Sequence, residues 1–243
     1  MKKNLTLAYG IAAYLIFFGT FLYLIGFVGD LWVPKSVDRA GFGSALLAWL
    51  GNLLWIGLFG IQHSVMARPS FKAWWTRLIP KPAERSTYVL IASLLLIALF
   101  RFWEPIPRVI WDLGGSPLGF LLSALFWFGW ALVLFSTYLI NHFDLFGLRQ
   151  VYLYWRGEAY KPVPFKITVL YRYTRHPLML GFLVAFWAAP LMTVGHLLFA
   201  VGMTAYILIG IYFEERNLLE SFGDTYRRYQ AETPMLAPFP KFK

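Results

Sequence analysis

The chain alternates between long apolar blocks and short polar stretches that carry most of its charge. Apolar blocks over residues 5–28, 43–65, 88–102, 117–140, 178–193 and 196–213 predict six helical segments. About 20 apolar residues are needed to cross a bilayer as a helix, so the first, second and fourth are long enough, while the third, fifth and sixth are short. The last two are separated by little more than Val194-Gly195 and read as a tight hairpin, with Pro190 ending its first arm. The expected fold is an all-α membrane bundle of five to six segments with a C-terminal helical hairpin.

Beyond the sixth block, Leu218, Phe222, Tyr226 and Tyr229 recur at helical spacing, and Glu220, Asp224, Arg227 and Arg228 fall largely off that face. This predicts an amphipathic cytoplasmic tail helix, stopped by Pro234, Pro238 and Pro240. The segment from Asn141 to Pro177 is the longest stretch without an apolar block, a natural place for chemistry. One domain over residues 1–243 is expected, with four spans in 1–140 and the loop, hairpin and tail in 141–243.

Composition agrees with this pattern. Of the 243 residues 59% are hydrophobic and only 14% charged, where a soluble domain runs nearer a quarter charged. The net charge of +10 is explained by basic loops facing the cytoplasm and its anionic lipid, with no call for nucleic acid. With the N-terminus inside, eighteen of the 22 Lys and Arg fall on the inner side, which predicts both termini inside and an even number of crossings. The opening Met1-Lys2-Lys3 leads straight into the first block, which reads as a retained span. The absence of cysteine excludes disulfides, thiolate nucleophiles and cysteine metal or iron–sulfur sites.

Four polar clusters stand out. Arg175-His176-Pro177 opens the fifth segment, where unpaired helix N–H groups and a guanidinium suit an anionic group; positive-inside decoration accounts for it equally well. Glu214-Glu215 lies at the cytoplasmic end of the sixth segment, against the helix dipole, and so calls for a cationic partner: Arg172, Arg175 or a ligand amine. The stretch from Asn141 to Gln150 concentrates His142, Asp144, Arg149 and Gln150; a His near an Asp can serve as general base, and an ordinary membrane-exit turn is the alternative. Gln62-His63-Ser64 places polar side chains inside the second span, for helix packing or for function. No metal site is expected, the histidines form only a weak haem signal, and neither a Walker loop nor a dinucleotide glycine pattern is present.

The stretch Arg175-His176-Pro177-Leu178-Met179-Leu180-Gly181 resembles the Arg-His-Pro-x-Tyr-x-Gly motif of membrane methyltransferases that include isoprenylcysteine carboxyl methyltransferase. Glu214-Glu215 with Leu218, Phe222-Gly223, Tyr226 and Tyr229 is similar to their second motif. Met179 stands where the motif has Tyr, which changes one wall of the site. The first two thirds, through Gln62–Arg68, Glu84–Tyr88 and Asn141–Gln150, resemble the nurim-related bacterial proteins, specifically the methanethiol S-methyltransferases. That resemblance implies S-adenosylmethionine as methyl donor, methanethiol, a small volatile thiol, as acceptor, dimethyl sulfide as product and a bacterial inner membrane as location. It implies a donor site lined by Tyr173, Arg175, His176, Pro177, Leu180, Gly181, Glu214 and Glu215. Arg175 or the helix start would meet the donor carboxylate, and a glutamate its amine. For the thiol, the implied chemistry makes His142, supported by Asp144, the candidate base, with His63 as rival and Arg149 as anion stabiliser. Other acceptors (a prenylcysteine carboxylate, a lipid amine, a larger thiol), a non-catalytic scaffold and a haem or quinone protein are the competing readings. Oligomeric state is not legible.

Overall fold

The computed structural model describes residues 2–39 and 45–236. Gly43, where the second predicted span begins, and Pro238 and Pro240, the last predicted tail breakers, lie outside the described residues. The described helices are α1 (Lys2–Gly29), α2 (Ala45–Met66), α3 (Pro69–Trp75), α4 (Glu84–Phe102), α5 (Pro117–Ile140), α6 (His142–Leu145), α7 (Leu148–Arg156), α8 (Pro177–Trp187), α9 (Val194–Phe222) and α10 (Asp224–Glu232). Two short strands, β1 (Val109–Asp112) and β2 (Leu191–Thr193), complete the fold. Five of the helices are long and apolar enough to cross a membrane: α1, α2, α4 with the turn before it, α5 and α9. Their outward faces keep large apolar side chains, as with Leu46, Ile61 and Phe120. This is the surface of an integral membrane protein, whose solvent on those faces is lipid.

The chain folds as two compact units that interleave in sequence. The first comprises Met1–Pro107 and Asn141–Pro164, the second Arg108–Ile140 and Phe165–Lys243.

In the first unit α4 packs on α1 and α2, and α7 lies along the first half of α1. Val151 fills the notch at Gly10, and the Trp155 indole donates to Asn4 at 2.9 Å. At the other end the fully buried Asn52 clasps Glu104, donating to its carbonyl and accepting from its N–H. The predicted third span was short because the apolar run stops at Tyr88. The helix instead begins at Glu84, because its polar first turn has partners: Arg85 donates to the Leu145 carbonyl at 2.7 Å, Ser86 to that of Gly147, and Thr87 to that of Ala83. Polar residues satisfied in this way extend a membrane helix past its apolar stretch.

In the second unit α5 packs against α8 through two glycines. A Cβ on Gly181 would come within 2.7 Å of the Gly129 carbonyl, and one on Gly129 within 2.7 Å of Gly181's. β1 pairs antiparallel with β2, Val109 opposite Thr193 and Asp112 opposite Leu191. The predicted hairpin is present with unequal arms. α8 has only 11 residues, started by Pro177 at its first turn and ended at Trp187 ahead of Pro190. The turn therefore falls before Thr193, earlier than Val194-Gly195. Thr193 caps α9, its hydroxyl accepting from His196 N–H. α9 then runs 29 residues, straight through Glu214 and Glu215. The predicted tail helix is accordingly divided: Leu218 and Phe222 belong to α9, Tyr226 and Tyr229 to α10, and Gly223 breaks the two with φ +53°.

Candidate functional site

Each unit carries a polar cluster that includes predicted site residues. In the second unit it forms where the start of α8 meets α9 and α10. Arg175 lies beneath the surface, its guanidinium Nε 2.7 Å from Glu215 Oε1. Its Nη1 donates to the carbonyls of Gln230 and Thr233, at the end of α10. The backbone joins in: Arg175 N–H donates to Pro234 O at 3.0 Å, His176 N–H to Met235 O at 3.2 Å, and the Thr174 hydroxyl also to Met235 O. Gln230 Nε2 donates to the second oxygen of Glu215, and the Tyr229 hydroxyl to Tyr171 O at 2.6 Å. The residues after α10 are thus laced to the loop before α8.

His176 sits between two carboxylates, Nε2 3.0 Å from Glu215 Oε1 and Nδ1 3.7 Å from Glu214 Oε2. The two glutamates differ in exposure: the Glu215 side chain is 15% exposed, that of Glu214 49%. Phe165 closes one flank, its ring 5.0 Å from Phe222 and edge-on to Tyr226 and Tyr229. Burial pushes the Tyr229 phenol up to about 12, and those of Tyr171 and Tyr226 up as well, helped at Tyr171 by Glu214 and at Tyr226 by Glu215. All three remain neutral hydrogen-bonding groups.

The structure brings the two predicted motifs together, but it distributes their residues over two tasks. Arg175, Glu215, Tyr226 and Tyr229 bind other parts of the protein. Gly181 is buried against Gly129, and Pro177 is buried at the helix start. Tyr173 is 66% exposed, and Leu180 is half-buried. The backbone N–H groups of Arg175 and His176 are taken by the tail, leaving those of Leu178 and Met179 as the open start of α8.

In the first unit Asn141 caps α6, its side chain accepting from Asp144 N–H. His142 is 6% exposed, with Nε2 2.8 Å from the Tyr14 hydroxyl of α1, inside a cage of Tyr14, Phe143 and Phe146 rings. Burial lowers its pKa from the usual 6.5. The carboxylate of Asp144 faces elsewhere: one oxygen meets Arg149 Nη1 at 2.8 Å, the other accepts from the Tyr160 hydroxyl at 3.2 Å. Gln150 donates to the Asp144 carbonyl, and Arg149 lies over the Tyr160 ring. The support expected for His142 from Asp144 is therefore supplied by Tyr14, and Arg149 is the counter-ion of Asp144. His63, inside α2, holds its ring 4.7 Å from that of Tyr88 and tilted 54° to it, and the Tyr88 hydroxyl donates to the His63 carbonyl.

Tyr14 could not be paired with His142 from sequence: 128 positions separate them, and Tyr14 lies within an unbroken apolar block. Gln230 and Thr233 carried no signal either, since they engage mainly through main-chain carbonyls. Tyr160 was readable only as one aromatic residue in a long loop. Among the described residues no group of three or more His, Asp or Glu could hold a metal ion.

Comparison with known proteins gives relatives over nearly the whole chain. Methanethiol S-methyltransferase of Mycobacterium tuberculosis is 56% identical over 240 residues, spanning 99% of this chain and 98% of that protein. Methanethiol S-methyltransferase 1 of Bradyrhizobium diazoefficiens is 53% identical over 98% of this chain and 83% of its own. Nurim of Sus scrofa is 32% identical, covering 87% of this chain and 85% of that protein. No family model matches the chain, and no solved structure does.

Proposed function

The chain belongs to the methanethiol S-methyltransferase family, and on that premise we propose that it methylates methanethiol to dimethyl sulfide with S-adenosylmethionine as the donor. The full-length likeness to proteins of that name carries the reading of the acceptor. The donor reading rests on the cluster of Arg175, His176, Glu214 and Glu215, which joins both motifs in one place.

The residues suit a donor with an amino-acid end. Half-exposed Glu214, beside His176, offers a carboxylate to an ammonium group. A carboxylate would meet the open N–H groups of Leu178 and Met179 at the positive end of α8. Arg175 fits this contact poorly, because its guanidinium is consumed by Glu215, Gln230 and Thr233. In place of a direct grip, Arg175 holds Glu215 and the tail, and these hold His176. Tyr173 and Phe222 supply exposed aromatic faces on the same unit.

The donor supplies a methyl group on a positively charged sulfur. For the acceptor, the S–H proton must leave so that the sulfur lone pair can form the new S–C bond; the leaving electrons stay on the donor's sulfur. A free cysteine thiol ionises near a pKa of about 8.5, and a simple alkanethiol higher, so a base must assist. We assign this to His142. Its burial keeps the imidazole neutral and able to accept a proton, and Tyr14 fixes its ring. His63 is the rival, and Arg149 is placed to steady Asp144 instead of the thiolate.

We also propose a bacterial inner membrane with both termini cytoplasmic. The basic residues around α3, α7 and α10 support that side. α8 rises about 16 Å, and the six residues 188–193 add at most about 20 Å. Together they reach across the ~30 Å core as a sixth passage.

The test is headspace gas chromatography of the detergent-solubilised protein with both substrates, a heat-killed control and a prenylcysteine acceptor in parallel. Dimethyl sulfide dependent on both substrates is expected. Methylated prenylcysteine alone would change the acceptor, and neither product together with no donor binding would sink the enzyme reading.

A further inference from the structure

Gln62 Oε1 on α2 and the indole Nε1 of Trp75 at the end of α3 are among the buried polar atoms of the first unit that no hydrogen bond answers. Both border the same core, a cluster of Met66, Tyr88 and Val89 against which Phe17, Phe71, Trp75 and Phe146 pack. The Gln62 amide leans on it directly, its Nε2 only 3.0 Å from Met66 Sδ, a weak acceptor. An unanswered acceptor and an unanswered donor beside one apolar core are costly, and such atoms are rare unless something else answers them.

The chemistry of the walls narrows what that is. The lining is thioether and aromatic, soft and water-poor. Its two open valences ask for an otherwise apolar molecule whose single polar group both donates and accepts. Positive charge lies close by: the Arg85 guanidinium stacks 4.8 Å over the Tyr88 ring while its Nε is held by Leu145 O. That favours a group tending towards an anion.

We propose that Gln62 and Trp75 form a binding site for a small alkanethiol, the S–H donating to Gln62 Oε1 and the sulfur accepting from the Trp75 indole. This deepens the proposed function and rests on it for the identity of the thiol. The sulfur is softer and larger than a water oxygen, and its alkyl group lies against Met66 and Phe71. As the thiol ionises, the indole N–H strengthens its bond to the sulfur, so Trp75 stabilises the anion as well as the bound thiol.

The experiment uses Gln62→Met, which keeps bulk, and Trp75→Phe, which keeps an aromatic ring of smaller size; each removes one polar group. With purified full-length protein and saturating S-adenosylmethionine, each variant is expected to raise the KM for methanethiol about five- to tenfold, the loss of one hydrogen bond. Donor affinity by calorimetry and the melting temperature should stay at wild-type values. Separately, retention of methanethiol from the headspace is measured with no donor present. The wild type should retain thiol above a detergent blank, and the double variant should not. Unchanged KM in both variants, or equal retention by wild type and double variant, overturns the site and assigns the two atoms to trapped water. If the wild type retains thiol through these residues yet forms no dimethyl sulfide, the transfer reading fails and the site stands.

Discussion

Arg175 Nε and Glu215 Oε1 lie 2.7 Å apart across a separation of forty residues, with both side chains largely buried. The pair is a latch. Arg175 also holds two carbonyls at the end of α10, and Glu215 also holds His176 and Gln230. Removing one partner of such a buried pair leaves the other charge uncompensated, which costs about 3–5 kcal/mol. Arg175→Gln should therefore lower the melting temperature and expose the 224–235 region to trypsin at Arg227 and Arg228. Donor affinity should fall with it. A variant that loses donor affinity while its tail stays protease-resistant would return Arg175 to direct ligand contact.

Glu214 should behave in the opposite way. Its side chain is half exposed, and its contact with His176 is a loose 3.7 Å. Glu214→Gln is expected to leave the melting temperature within about 1 °C, as surface substitutions usually do. It should weaken S-adenosylmethionine binding about tenfold or more, the scale of one charge-assisted hydrogen bond. Calorimetric titration of Glu214→Gln beside Glu215→Gln separates the two roles: only the second should lose stability.

The membrane helices could be read from the chain because burial in lipid imposes long apolar blocks, and block 117–140 coincides with α5. The errors came where polar residues are satisfied by tertiary partners. Glu84 to Thr87 looked like a loop and proved to be the first turn of α4, since Leu145 and Gly147 answer it. Glu214 looked like a helix end and proved internal to α9. That Arg175 and His176 belong with Glu214 and Glu215 was legible through the two motifs, while the contacts among them were not. No local pattern tells that Arg175 faces Glu215 or that Gly181 faces Gly129.

Gly181 supplies a third test. Its Cα surface meets Gly129 O and Val133 at 2.7–2.9 Å from where a Cβ would stand, and two of those neighbours are backbone. Gly181→Ala should push α8 away from α5 and destabilise the protein by about 1–3 kcal/mol, the usual penalty of overpacking. Thermal melting in detergent would register this as a lowered midpoint. Unchanged stability with lost donor binding would make Gly181 a wall of the donor site instead.

His142 contributes to the pH dependence. Its folded pKa is lowered from 6.5 by burial, so below that value the unfolded chain takes up a proton that the folded one resists. The stability it contributes is complete above about pH 6.5 and is lost as pH falls towards the folded value. Melting temperature should accordingly drop between pH 7 and pH 5, and His142→Gln should make that drop smaller. The same variant decides the catalytic assignment. With saturating donor at pH 7.5, loss of a general base costs about a hundredfold or more in kcat. Tyr14→Phe, which removes only the 2.8 Å contact, should fall between the two. If His142→Gln keeps the wild-type rate while making the pH-dependent drop in stability smaller, His142 is a buried structural histidine and the proton goes to His63. His63→Gln should then carry the kinetic loss.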